Sequence, residues 1–233
     1  MVEVGNRKVV WLASCALLLA ACTPRDRSGA RVDTSRATPE ADSSSVAESA
    51  SRTILFIGTS LTAGYGLDAD SAYPEHIQRM VDSARLRYVV VNAGQSGETS
   101  SALLHRLDWL LSKPFDVVVV ETGANDGLRG IPIETMRANI EQIIERIRST
   151  RPSARVVLAQ MEAPPNLGTS YTRQFREVFP EIARRNQIIL LPFLLQNVAG
   201  IRELNQSDGI HPNYPGERIV AQNVWRGLRP LLQ

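Results

Sequence analysis

From residue 53 onwards the chain alternates short apolar runs with longer stretches in which apolar residues return every three or four positions. The runs at 53–57, 88–92, 116–121, 155–158 and 187–191 are rich in Val, Ile and Leu, as strands buried on both faces should be. The stretches at 73–84, 101–111, 133–149, 171–185 and 215–228 predict helices. The third is the clearest, with Ile133, Met136, Ile140, Ile143, Ile144 and Ile147 recurring on one face. Strands in alternation with helices predict one α/β domain over 53–233, a three-layer α/β/α sandwich around a five-stranded parallel sheet. Ligands of such sheets bind outside the carboxyl ends of the strands, so the residues that follow each run are the ones to inspect.

The segment before this domain has a different character. Arg7 and Lys8 precede an uncharged, mostly apolar run at 9–21. A spanning helix needs roughly 20 apolar residues, so 1–21 reads as an export signal. Its end, Leu19-Ala20-Ala21-Cys22, resembles a bacterial lipobox. That resemblance implies acylation of Cys22 and an exported bacterial lipoprotein, held at the membrane by lipid. Thr23 in place of Asp after Cys22 implies the outer membrane, facing the periplasm; a soluble periplasmic or secreted form is the alternative. After Cys22, residues 23–52 are mostly Ser, Thr, Ala, Pro and charge without an aromatic, too polar to offset the entropy of ordering, so 22–52 reads as a lipidated N-terminus and flexible tether.

Both cysteines, Cys15 and Cys22, lie in this first part. The domain therefore offers no disulfide, thiol nucleophile or cysteine metal site. A formal net charge of +2, with basic residues scattered among acidic ones, gives no footing for nucleic acid.

Four polar segments fall at strand ends. They are Gly58-Thr59-Ser60-Leu61 after the first run, Asn92-Ala93-Gly94-Gln95-Ser96-Gly97 at the second, Gly123-Ala124-Asn125-Asp126-Gly127 after the third, and Asp208-Gly209-Ile210-His211 past the fifth. A hydroxyl is a poor nucleophile until a base takes its proton. His211 can be that base for Ser60, with Asp208 holding the imidazole in its working tautomer. The backbone N–H groups of Ser60 and Gly97 and the amide of Asn125 could receive an oxyanion.

Each piece also has a plainer reading. Ser60 fits a helix N-cap, Gly97 a turn glycine, and Asn125-Asp126-Gly127 a turn. Asp208 and His211 fit a surface pair or two metal ligands, although the other histidines, His76 and His105, fall within predicted helices. The P-loop lysine is missing after Gly58, and so is a Gly-x-Ser-x-Gly elbow around Ser60. What favours the joint reading is that all four pieces occur where one site needs them.

Together these residues resemble the SGNH (GDSL-like) hydrolase family over nearly all of 53–232. Within it the chain is similar to the bacterial branch of acyl-CoA thioesterase I, lysophospholipase L1 and arylesterases. The match is carried by Gly123-Ala124-Asn125-Asp126-Gly127-Leu128-Arg129-Gly130, by Asp208-Gly209-Ile210-His211-Pro212-Asn213 and by Leu191-Pro192-Phe193. The resemblance implies a flavodoxin-like sheet of order 2-1-3-4-5, which makes Gly97, Ser60 and Asn125 neighbours. It implies Ser60 as nucleophile, Asp208 and His211 as its partners, and Ser60, Gly97 (rather than Gly94) and Asn125 as the oxyanion hole. It also implies a small-molecule ester substrate, no metal or cofactor, and a monomer. Ester, thioester, lysophospholipid and sugar O-acetyl hydrolysis all lie within its range, and a binding module without chemistry is the remote rival. Thr59 stands where the family has Asp, which implies a neutral support for the serine. The loop at 162–168 sits where the branch shapes its acyl pocket, making Ala163 and Pro164 candidate substrate contacts.

Overall fold

The structure is a computed structural model and describes residues 51–233. The expected export signal, Cys22 and all of the expected tether except its last two residues lie outside the described residues. Five strands form the sheet: β1 (Arg52–Gly58), β2 (Tyr88–Gly94), β3 (Val117–Val120), β4 (Arg155–Gln160) and β5 (Ile189–Phe193). All neighbours are parallel, in the order β2-β1-β3-β4-β5. Val117 to Val120 are all buried, which is why this central strand reads as an unbroken apolar run rather than an alternating one.

Among the described residues seven α-helices accompany the sheet: α1 (Ser60–Ala63), α2 (Tyr73–Ser83), α3 (Ser100–Leu110), α4 (Ala124–Leu128), α5 (Ile133–Thr150), α6 (Thr169–Asn186) and α7 (Tyr214–Leu228). Helices α2 and α7 pack together, while α5 lies between α3 and α6, giving two helical layers. The six apolar residues of the α5 stripe are all buried. The short helices α1 and α4 occupy segments that read as loops in the sequence, because four or five residues are too few for a helical period to register.

Pro180 sits inside α6. It has no N–H to give to the carbonyl four residues back, and Gln160 Nε2, at the end of β4, donates to that Arg176 carbonyl at 3.0 Å instead.

Glu217 of α7 is buried and accepts a hydrogen bond from the Tyr73 N–H of α2 at 2.8 Å. Burial pushes its carboxyl up to about 8 from an ordinary 4.5, despite that bond. The unfolded chain therefore loses the proton before the folded one does. Stability is full below the ordinary value and falls as pH rises from about 4.5 to about 8. Glu217→Gln should flatten this dependence. Thermal unfolding at about pH 5 and about pH 8 is expected to show a larger drop in Tm for the parent than for the variant; equal drops would contradict it.

Candidate active site

Strand β1 ends at Gly58, and the chain turns at once into α1. An added Cβ on Gly58 would lie 2.1 Å from Thr62 Oγ1 and 2.6 Å from Glu121 Oε2, so only glycine lets the turn close this tightly. Thr59 is the N-cap of α1, its hydroxyl accepting from Leu61 N–H at 3.4 Å. The capping role is thus filled one residue earlier than Ser60, whose hydroxyl is left for another partner.

That partner is His211, whose Nε2 lies 2.8 Å from Ser60 Oγ. His211 Nδ1 lies 2.7 Å from Asp208 Oδ2. The other Asp208 oxygen accepts from the Ile210 and His211 N–H groups at 2.9 and 3.0 Å. Partial burial raises the Asp208 carboxyl, but the hydrogen bonds and charge of His211 and the Ile210 N–H outweigh it and bring it down to about 2. An ionised carboxylate only accepts, so the Nδ1 proton belongs to His211 and Nε2 presents its lone pair to the serine.

Gln206, which the sequence reading passed over, ties the two loops together. Its backbone N–H donates to the His211 carbonyl at 2.8 Å. Its Nε2 donates to the Tyr65 and Pro212 carbonyls at 2.7 and 3.0 Å. The Tyr65 ring lies against the imidazole, centroids 4.8 Å apart.

Gly97 and Asn125 complete the cluster. Gly97 takes φ +78°, a conformation that side chains rarely adopt, and an added Cβ would approach Arg129 Nη2 at 4.0 Å. Conformation, not crowding, is what calls for glycine there. The N–H groups of Ser60 and Gly97 have no acceptor among the described residues. Asn125 spends one amide N–H on the Glu98 carbonyl at 2.9 Å and keeps the other. Buried Asp126 fixes this region by accepting from Ser100 N–H and Oγ at 2.8 and 2.6 Å, joining α4 to the start of α3. Gly94, by contrast, stays in β2 beneath α1, where a Cβ would meet Ala63 N at 2.3 Å.

A cleft of about 620 Å³ is lined by Ser60, Gly97, Asn125, Ala163, Pro164, Asp208 and His211. Every site residue proposed within 53–233 therefore faces one space, and the mainly apolar remainder of its wall includes Leu61, Met161, Phe193 and Leu195. His76, buried with Nδ1 2.8 Å from Arg79 Nη2, and exposed His105 take no part in it.

Residues 56–219 match the profile described as the GDSL-like lipase/acylhydrolase family. The chain belongs to that family. Esterase TesA of Pseudomonas aeruginosa is 36% identical over 187 residues, covering 79% of this chain and 92% of the relative. Thioesterase 1/protease 1/lysophospholipase L1 of Escherichia coli K12 is 35% identical, covering 78% and 86%. The crystal structure of the psychrotrophic esterase EstA from Pseudoalteromonas sp., inhibited by monoethylphosphonate, superposes with a TM-score of 0.73 at 33% identity, covering 78% of this chain and 98% of that one. As a member of the GDSL-like family the chain is an ester-hydrolysing serine hydrolase with the SGNH fold.

The departure of this chain from the family at Thr59 has a physical setting. Beneath Thr59 lies Glu121, fully buried, which accepts from Thr59 N–H at 2.7 Å and from its hydroxyl at 3.0 Å. The serine turn is thus braced by a carboxyl, and not by the threonine alone. The one sign of Glu121 in the sequence is an acidic residue directly after four valines, which does not distinguish a strand end from a site.

Proposed function

We propose that Ser60 attacks the carbonyl carbon of an ester while His211 Nε2 takes its proton. The observation that carries this reading is the unbroken chain from Ser60 Oγ through His211 to Asp208, with contacts of 2.8 and 2.7 Å. Asp208 keeps the imidazole oriented and stabilises the imidazolium that forms. The carbonyl oxygen, now negative, is received by the N–H groups of Ser60 and Gly97 and by the free amide N–H of Asn125. Collapse of the tetrahedral intermediate expels the alcohol, protonated by His211. Water then adds to the acyl-serine with His211 again as base, and the acid and free Ser60 are released. All these groups come from one chain, so the proposed chemistry needs no residue from a second copy.

The substrates we propose are esters of lipids or of aryl and alkyl alcohols with short to medium acyl chains, supported by the apolar wall and by Ala163 and Pro164 along it. Burying a methylene is worth about 0.8 kcal/mol, or up to about fourfold per carbon. In a series of p-nitrophenyl esters kcat/KM should rise from acetate through the medium chains and then level off as the cleft fills. Lysophospholipid should also be hydrolysed. A rate that falls steadily from acetate would point instead to a small O-acetyl substrate.

We further propose that the enzyme is exported and anchored by lipid on Cys22, on the strength of the Leu19-Ala20-Ala21-Cys22 segment. Among the described residues no helix is long and apolar enough to cross a membrane. Labelled fatty acid should enter the parent chain and not Cys22→Ser; equal incorporation would contradict the anchor.

A further inference from the structure

The catalytic reading leaves unused one fully buried titratable group that lies directly behind the serine. Glu121 follows β3, its N–H donating to the Ile57 carbonyl of β1 at 2.9 Å. Its carboxyl receives Thr59 N–H at 2.7 Å, Thr59 Oγ1 at 3.0 Å and Thr62 Oγ1 at 2.9 Å. Thr62 Oγ1 is in turn 2.9 Å from the hydroxyl of buried Tyr73. Among the described residues Glu121 takes part in no ion pair, so the partners of its carboxyl are hydrogen-bond donors alone.

We propose that Glu121 is a positioning residue for the nucleophile, holding the Thr59–Ser60 peptide so that the Ser60 N–H and hydroxyl both face the cleft. This rests on the reading of Ser60 given above. Thr59 is extended, with φ −94° and ψ −154°, and successive N–H groups of an extended chain point to opposite sides. Fixing the Thr59 N–H inward on Glu121 therefore turns the Ser60 N–H outward. The same contact seats the first turn of α1, from which Ser60 Oγ meets His211 Nε2. A carboxyl suits this place because it offers two oxygens to the three donors that converge on it, Thr59 N–H, Thr59 Oγ1 and Thr62 Oγ1. Burial raises the Glu121 pKa while the bonds from Thr59 and Thr62 lower it, the net shift being upward.

The test compares Glu121→Ala and Glu121→Gln with the parent, each rate being divided by the Ser60 sites that a fluorophosphonate titrates, so that misfolded chains drop out. Glu121→Ala should lower kcat about 10²-fold, the scale of a misplaced reacting group, with KM unchanged. Phosphonylation should slow in proportion and still reach one label per chain. Glu121→Gln should fall between the two, because an amide oxygen still accepts from Thr59 N–H while its NH₂ offers a donor where an acceptor is needed. It carries the test if the alanine variant does not fold. Wild-type kcat and labelling rate per titrated site, in either variant, would overturn the proposal and leave Ser60 as nucleophile. A parent chain that takes no label on Ser60 would overturn both.

Discussion

Ser60→Ala is expected to leave the fold intact and to reduce ester hydrolysis by at least about 10⁴-fold, as loss of a nucleophile does in other serine hydrolases. Among the described residues the side chain being removed has one polar partner, His211 Nε2 at 2.8 Å. Thr59, not Ser60, supplies the cap of α1, and alanine is a good helix residue. Little stability should go with the hydroxyl, so circular dichroism and Tm should match the parent within a few degrees. The oxyanion donors and the cleft would remain, and they account for whatever rate survives over that in buffer. Initial rates with a p-nitrophenyl ester measure this directly, and a variant that keeps even a tenth of the parent rate would contradict the assignment.

His211→Ala should cost a comparable factor, at least about 10⁴, for a separate reason. Without the imidazole the serine proton has no acceptor within reach, since Asp208 contacts the nucleophile only through that ring. Because the two residues act as a unit, Ser60→Ala combined with His211→Ala should be no slower than either change alone. Asp208, brought down to about 2, stays ionised and keeps orienting the ring well into the acid range. Additive losses in the double variant would remove His211 from the mechanism.

How much of this was legible beforehand follows from what leaves a periodic or chemical trace. Five apolar runs and the stripe on α5 foretold the strands and the main helices, because burial on a sheet or along a helix face imposes a period on the sequence. Strand order came only with the family resemblance, since each run is compatible with several neighbours. Helices α1 and α4 were missed because a single turn has no period to detect. Ser60, Gly97, Asn125, Asp208 and His211 stood out as chemically distinctive residues placed at strand ends, and all of them line the cleft. Glu121, Asp126 and Gln206 did not. Their importance lies in partners 62, 26 and 141 residues away, Thr59, Ser100 and Tyr65, and nothing in the local sequence reports a contact at that range. Thr59 taken alone suggested neutral support, and only the fold reveals the carboxyl beneath it.

The account depends above all on the Ser60 hydroxyl being the atom that is acylated. Treating the protein with a fluorophosphonate and locating the adduct by peptide mass spectrometry tests this without any substitution. One phosphonyl group per chain, on Ser60, with hydrolysis lost in step, is the result predicted. Full inhibition with the adduct on another residue, or undiminished hydrolysis by chains modified at Ser60, would contradict it.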